Sequence, residues 1–116
     1  MLLVNIAKSL NLKPRVEAGA EVEVKYGYAS DLLSDVLAKT KNGTLWLTNQ
    51  KHQNIVGVSV MLDLAGVVIV GGVEPEENTL EKAIEENIPL YITDMSLFDL
   101  TGKLYELGLR SSEAQS

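Results

Sequence analysis

The chain has 116 residues, 46% of them hydrophobic, with 16 acidic against 10 basic side chains and a formal net charge of −6. That length fits one domain with one core and is too short for two. The negative balance argues against nucleic acid or an anionic membrane surface as partner. The absence of cysteine excludes disulfides, thiolate metal sites and cysteine nucleophiles, and fits a reducing cytoplasm.

At the N-terminus, Leu3, Ile6, Ala7 and Leu10 recur at helical spacing, and Pro14 forbids continuation, so a short helix ends near Asn11. No basic start or small-residue cleavage site precedes it, so export is not expected. Val16, then Val22, Val24 and Tyr26, alternate with polar residues around Gly19, which predicts a hairpin or two loosely paired strands. Ser30 is placed to cap a helix whose apolar face is Leu32, Leu33, Val36 and Leu37, stopped by Asn42-Gly43. Thr44–Thr48 reads as a strand, and a helix over about 52–64 follows.

The stretch 55–73 is nearly continuous apolar sequence of membrane-spanning length, broken by Asp63. An aspartate at the bilayer centre costs about 2.5–3.5 kcal/mol, and β-branched residues crowd Val67, Val68, Ile69 and Val70. A buried helix followed by a buried strand is the simpler reading, and no membrane partner is expected. Beyond the Gly71-Gly72 turn, Pro75 opens a helix with Glu76 and Glu77 in its first turn and Leu80, Ala83 and Ile84 as its buried stripe. Ile88 to Ile92 is the last strand. Asp94 or Ser96 caps the last helix, lined by Leu97, Leu100, Leu104 and Leu107, and 111–116 reads as a flexible tail after a single domain over 1–110.

Strands alternating with helices predict an α/β three-layer sandwich around a mostly parallel sheet of about four to five strands. Ligands of such sheets sit outside the carboxyl ends of the strands. Those ends fall at Asp31, Asn49, Gly71-Gly72 and Thr93-Asp94, with His52 close by at a helix start. The two glycines permit positive φ and close backbone approach, while the neighbours add hydroxyl, amide and carboxylate groups. Small polar residues also make tight turns and caps, so a purely structural reading stands beside the ligand one.

Thr101-Gly102-Lys103 resembles the end of a Walker A loop, but Leu104 and Leu97 occupy positions that need Ser or Thr and Gly. No G-x-G-x-x-G follows a strand. A lone His52 cannot build a zinc site, and the run of glutamates from Glu74 to Glu86 reads as a solvated helix face. No metal and no other cofactor is implied.

The segment Leu62-Asp63-Leu64-Ala65-Gly66-Val67-Val68-Ile69-Val70-Gly71-Gly72, with its acidic helix and Ile88-Pro89-Leu90-Tyr91-Ile92-Thr93, resembles the DRTGG domain family. Asp31 to Leu37 and His52 to Val56 resemble its stand-alone members, and the similarity runs over about 4–109. That family accompanies phosphotransacetylases and CBS-containing pyrophosphatases, and is distantly related to a non-catalytic domain of HPr kinase. The resemblance implies a regulatory, dimer-forming role. The chain departs from the family's name: Val70 stands where the threonine would be, and no Asp-Arg pair precedes the helix near His52.

The expectation is therefore a non-catalytic module, a homodimer, binding a small metabolite or nucleotide through Asp31, Asn49, His52, Gly71, Gly72, Thr93 and Asp94. The alternative is an interaction module docking on a partner enzyme. A small hydrolase or transferase using His52 is the third reading.

Overall fold

The computed structural model describes residues 1–113. In chain order the elements are α1 (Leu3–Ser9), β1 (Lys13–Val16), β2 (Tyr26–Ala29), α2 (Leu33–Lys39), β3 (Thr44–Thr48), α3 (Asn54–Leu62), β4 (Gly66–Ile69), α4 (Glu77–Glu86), β5 (Leu90–Ile92) and α5 (Leu97–Glu106). The sheet order is β1-β5-β4-β3-β2, parallel throughout except for β1 against β5. The α/β sandwich predicted from the alternation of elements is thus the fold observed.

Period-two alternation divides the core between the two faces of this sheet. Leu45, Leu47, Val68 and Tyr91 point to α1 and α5, meeting Leu3, Ile6, Leu100 and Leu104. Trp46, Val67, Ile69 and Leu90 point the other way, to Val36 of α2, Ile55 and Val56 of α3 and Ala83 of α4. Every residue of β3, β4 and β5 is buried, as strands covered by helices on both faces require. No helix among the described residues is long and apolar enough to cross a membrane.

The expected hairpin is absent: β1 and β2 lie at opposite edges of the sheet. The Gly19 turn forms, with Val22 N–H donating to Gly19 O at 3.2 Å, but Val22 and Val24 then bond the start of α1 through Leu3 N and Met1 O. β1 instead closes the edge of β5, pairing Lys13 with Ile92 and Pro14 with Tyr91. An isolated two-stranded ribbon is marginal in water, whereas extending an existing sheet satisfies the same backbone groups over a core.

Helix ends follow local chemistry closely. Asn11, Asp63 and Asn87 adopt φ of 54°, 54° and 57° just past α1, α3 and α4, the left-handed stop that asparagine and aspartate tolerate. Ser96 Oγ accepts from Asp99 N at 3.1 Å, so Ser96 and not Asp94 caps α5. Ser30 lies two residues before the cap of α2 and accepts from Leu32 N at 3.1 Å, a local turn in place of the expected cap. Leu32, Leu37, Ile84 and Leu107, expected inward, are exposed, while Thr79 and Ala83 form the buried side of α4. Of the expected tail, 114–116 lie outside the described residues, and Ser112 is buried with its Oγ donating to Lys39 O.

Candidate functional site

The carboxyl ends of β2, β3, β4 and β5 share one edge of the sheet, and the residues singled out in the sequence sit along it in three groups. The first joins Asp31 to Asn49. Asp31 Oδ1 accepts from Thr48 Oγ1 and from Asn49 N, both at 2.8 Å, and Gln50 Nε2 donates to Asp31 O at 2.8 Å. With the Asn49 amide oriented nitrogen-inward, Nδ2 donates to Asp31 Oδ2 at 2.9 Å. Trp46 Nε1 donates to Ser30 O at 2.8 Å and pins the loop from below.

The second group is the glycine turn. Gly71 and Gly72 have φ of 72° and 73°, a conformation that glycine adopts without a Cβ penalty. Their N–H groups donate to Met95 O at 2.8 Å and Thr93 O at 2.9 Å, so two successive left-handed residues clamp the β5–α5 loop onto β4. An anion cradle needs free N–H groups, and these two are engaged. What the turn presents outward is the bare Cα of Gly71, where an added Cβ would meet nothing within 4 Å.

Thr93 and Asp94 also line a cavity of about 470 Å³ with Asn11, Lys13 and Lys103. Lys13 Nζ stands 3.5 Å from Asp94 Oδ2, and Thr93 Oγ1 accepts from Met95 N at 3.2 Å. Two lysines line it in a chain of net negative charge. The sequence reading missed both. Lys103 was visible as part of a Thr-Gly-Lys run, but only the folded arrangement of α5 and β1 puts it in the wall of the same cavity as Lys13.

The third group centres on His52, whose Nδ1 lies 2.9 Å from Glu76 Oε1. Beside it, Lys51 O accepts from Glu76 N at 3.1 Å and from Thr79 Oγ1 at 2.8 Å, strapping α4 to the β3–α3 loop. Arg15 grips Glu74 with two bonds, Nε–Oε1 at 2.9 Å and Nη2–Oε2 at 2.6 Å, which raises the guanidinium pKa and lowers that of the carboxyl. The pair is solvated, so it orients β1 against the β4–α4 loop and adds little stability. No group of three or more His, Cys, Asp or Glu able to hold a metal occurs among the described residues.

Behind the Asp31 loop, Tyr28 OH donates to Asp35 Oδ2 at 2.8 Å. Burial pushes the Tyr28 phenol up to about 12, reinforced by the Asp35 hydrogen bond and charge, while that bond holds the Asp35 carboxyl low. An unfolded tyrosine ionises near 10.0 and the folded one near 12, so the Tyr28 contribution stands below pH 10 and is lost as pH rises to 12. Tyr28→Phe is expected to be less stable than wild type below pH 10, with the gap closing between 10 and 12. Urea midpoints across that range check it, and a constant gap contradicts it.

No family model matches the chain, and no curated protein matches it. Among solved structures it is similar to the CBS and DRTGG domains of the regulatory region of Clostridium perfringens pyrophosphatase, a structure complexed with the activator diadenosine tetraphosphate. The match has a TM-score of 0.65 at 14% identity and covers 86% of this chain but 44% of that one, so this chain spans less than half the length of its neighbour. At that identity the likeness is one of architecture: the chain has a DRTGG-like fold.

Proposed function

We propose that the chain is a non-catalytic regulatory module, working as a homodimer, that binds a small anionic metabolite or nucleotide at the strand ends. The observation that carries this is the cavity at the end of β5, where Lys13 and Lys103 stand beside Thr93 and Asp94. Elsewhere along the edge, chemistry-bearing groups are committed to bracing loops: Asp31 to Thr48 and Asn49, His52 to Glu76, Thr79 to Lys51. That commitment supports binding over turnover. The activator named for the pyrophosphatase structure supports a regulatory role by fold analogy.

A panel of nucleotides and small phosphorylated or carboxylated metabolites, read by thermal shift and titration calorimetry, tests the reading. A ligand at 100 times its Kd stabilises the fold by roughly 2.7 kcal/mol. Lys103→Glu is expected to weaken that ligand by about tenfold or more, roughly 1.4 kcal/mol, and to lower the unliganded Tm only slightly, because Lys103 is exposed in the last turn of α5. A panel with no stabilising member, or a ligand indifferent to Lys103→Glu, overturns it. The second reading, docking on a partner enzyme, draws on α5, which exposes Phe98 and Tyr105.

A further inference from the structure

α3 carries no charged side chain over its nine residues, although α2 and α4, which pack on either side of it, both do. Its inner side is spent on the core through Ile55, Val56, Val58 and Ser59. At 3.6 residues per turn the opposite side is centred on Gly57 and flanked by Val60 and Met61. Val60 is 45% and Met61 74% exposed, and a Cβ at Gly57 would meet nothing within 4 Å. Leu37 of α2, 41% exposed, adds an apolar side chain on the neighbouring helix. A helix that is apolar all round belongs in an interior, yet a single copy of the chain leaves one side of this one in water.

We propose that the α2–α3–α4 face, centred on Gly57, is the surface through which two copies of this chain pair about a two-fold axis. This deepens the homodimer part of the function proposed above and rests on it. A second copy fits for three reasons. The uncharged centre brings no like charges together, despite the net charge of −6 per chain. Gly57 facing Gly57 of the second copy lets the two backbones approach. The flanks are complementary: α4 carries four glutamates against Lys82, whereas α2 and the turn after it carry Lys39 and Lys41 against Asp35. With the axis along α3, α2 of each copy covers α4 of the other, setting Lys41 toward the acidic helix; a crosswise axis would press the two acidic helices together.

The test is sedimentation of the full chain with a matched set of variants. Wild type is expected at twice 12.6 kDa, and Met61→Glu, which sets two carboxylates face to face, is expected to weaken self-association by about a hundredfold with an unchanged far-UV spectrum. Phe98→Glu, on the opposite layer, is expected to remain dimeric. Gly57→Cys, in a chain without cysteine, is expected to form an intermolecular disulfide on oxidation, and not when combined with Met61→Glu. Lys41→Glu is expected to weaken the dimer and Glu85→Lys to restore it. A monomeric wild type overturns both this surface and the homodimer reading. A dimer that survives Met61→Glu, or fails to cross-link through Gly57→Cys, overturns the surface and leaves that reading standing.

Discussion

Replacing Trp46 with alanine is expected to lower the unfolding free energy by about 3–5 kcal/mol, the range for removing a fully buried large aromatic side chain. Trp46 has no exposed surface; it sits in the middle of β3 and fills the space between the sheet and the α2–α3–α4 layer, against Val36, Ile55 and Val67. Its indole does more than fill volume, because Nε1 donates to Ser30 O at the head of the Asp31 loop. Trp46→Phe keeps much of the packing and leaves that carbonyl without its partner, which costs about 1–3 kcal/mol. The two variants therefore separate packing from the hydrogen bond. Urea unfolding followed by circular dichroism measures both, since the chain's single tryptophan is lost in each. In Trp46→Phe, amide exchange at Asn49, whose N–H donates to Asp31, is expected to accelerate. A Trp46→Phe protein as stable as wild type, with Asn49 exchange unchanged, would show that the indole does not hold the loop.

Trp46 also shows which parts of the fold were legible from residues alone. The strand Thr44–Thr48 and the apolar run at 67–70 could be read because a strand between two helical layers is apolar on both faces, and only short stretches satisfy that. The partner of β1 could not be read, because a period of two says that a segment is a strand and nothing about which edge stands open. The helices were found, yet the phase of α4 was misjudged. Thr79 turns inward because its hydroxyl reaches Lys51 O, a backbone acceptor with no signature in sequence, and Ile84 is left outside. At the strand ends the glycines were visible by composition, whereas their partners, the carbonyls of Thr93 and Met95, were not. That Lys13 and Lys103 line one cavity depends on elements at opposite ends of the chain.

At Gly71 the expected order of destabilisation is valine above alanine above asparagine. Nothing lies within 4 Å of a Cβ built there, so the whole effect comes from holding an L-residue at φ of 72°. For alanine that costs about 1–2 kcal/mol, and the double replacement of Gly71 and Gly72 by alanine about 2–4 kcal/mol if the two strains add. Asparagine costs less than alanine, as Asn11 and Asn87 already illustrate in this chain, and the β-branch of valine adds to the strain. Chemical denaturation gives the order directly, and an asparagine variant weaker than the valine one would refute a backbone origin. The same series separates the two roles of the turn. Because both glycine N–H groups hold the β5–α5 loop, strain at Gly71 is transmitted to Thr93 and Asp94 in the wall of the lysine-lined cavity. If the turn acts through that clamp, ligand affinity falls in the same order as stability, with asparagine nearly wild type in both. If a ligand rests on the bare Cα of Gly71, asparagine loses affinity out of proportion to its small effect on folding, since its side chain then occupies the space the ligand needs.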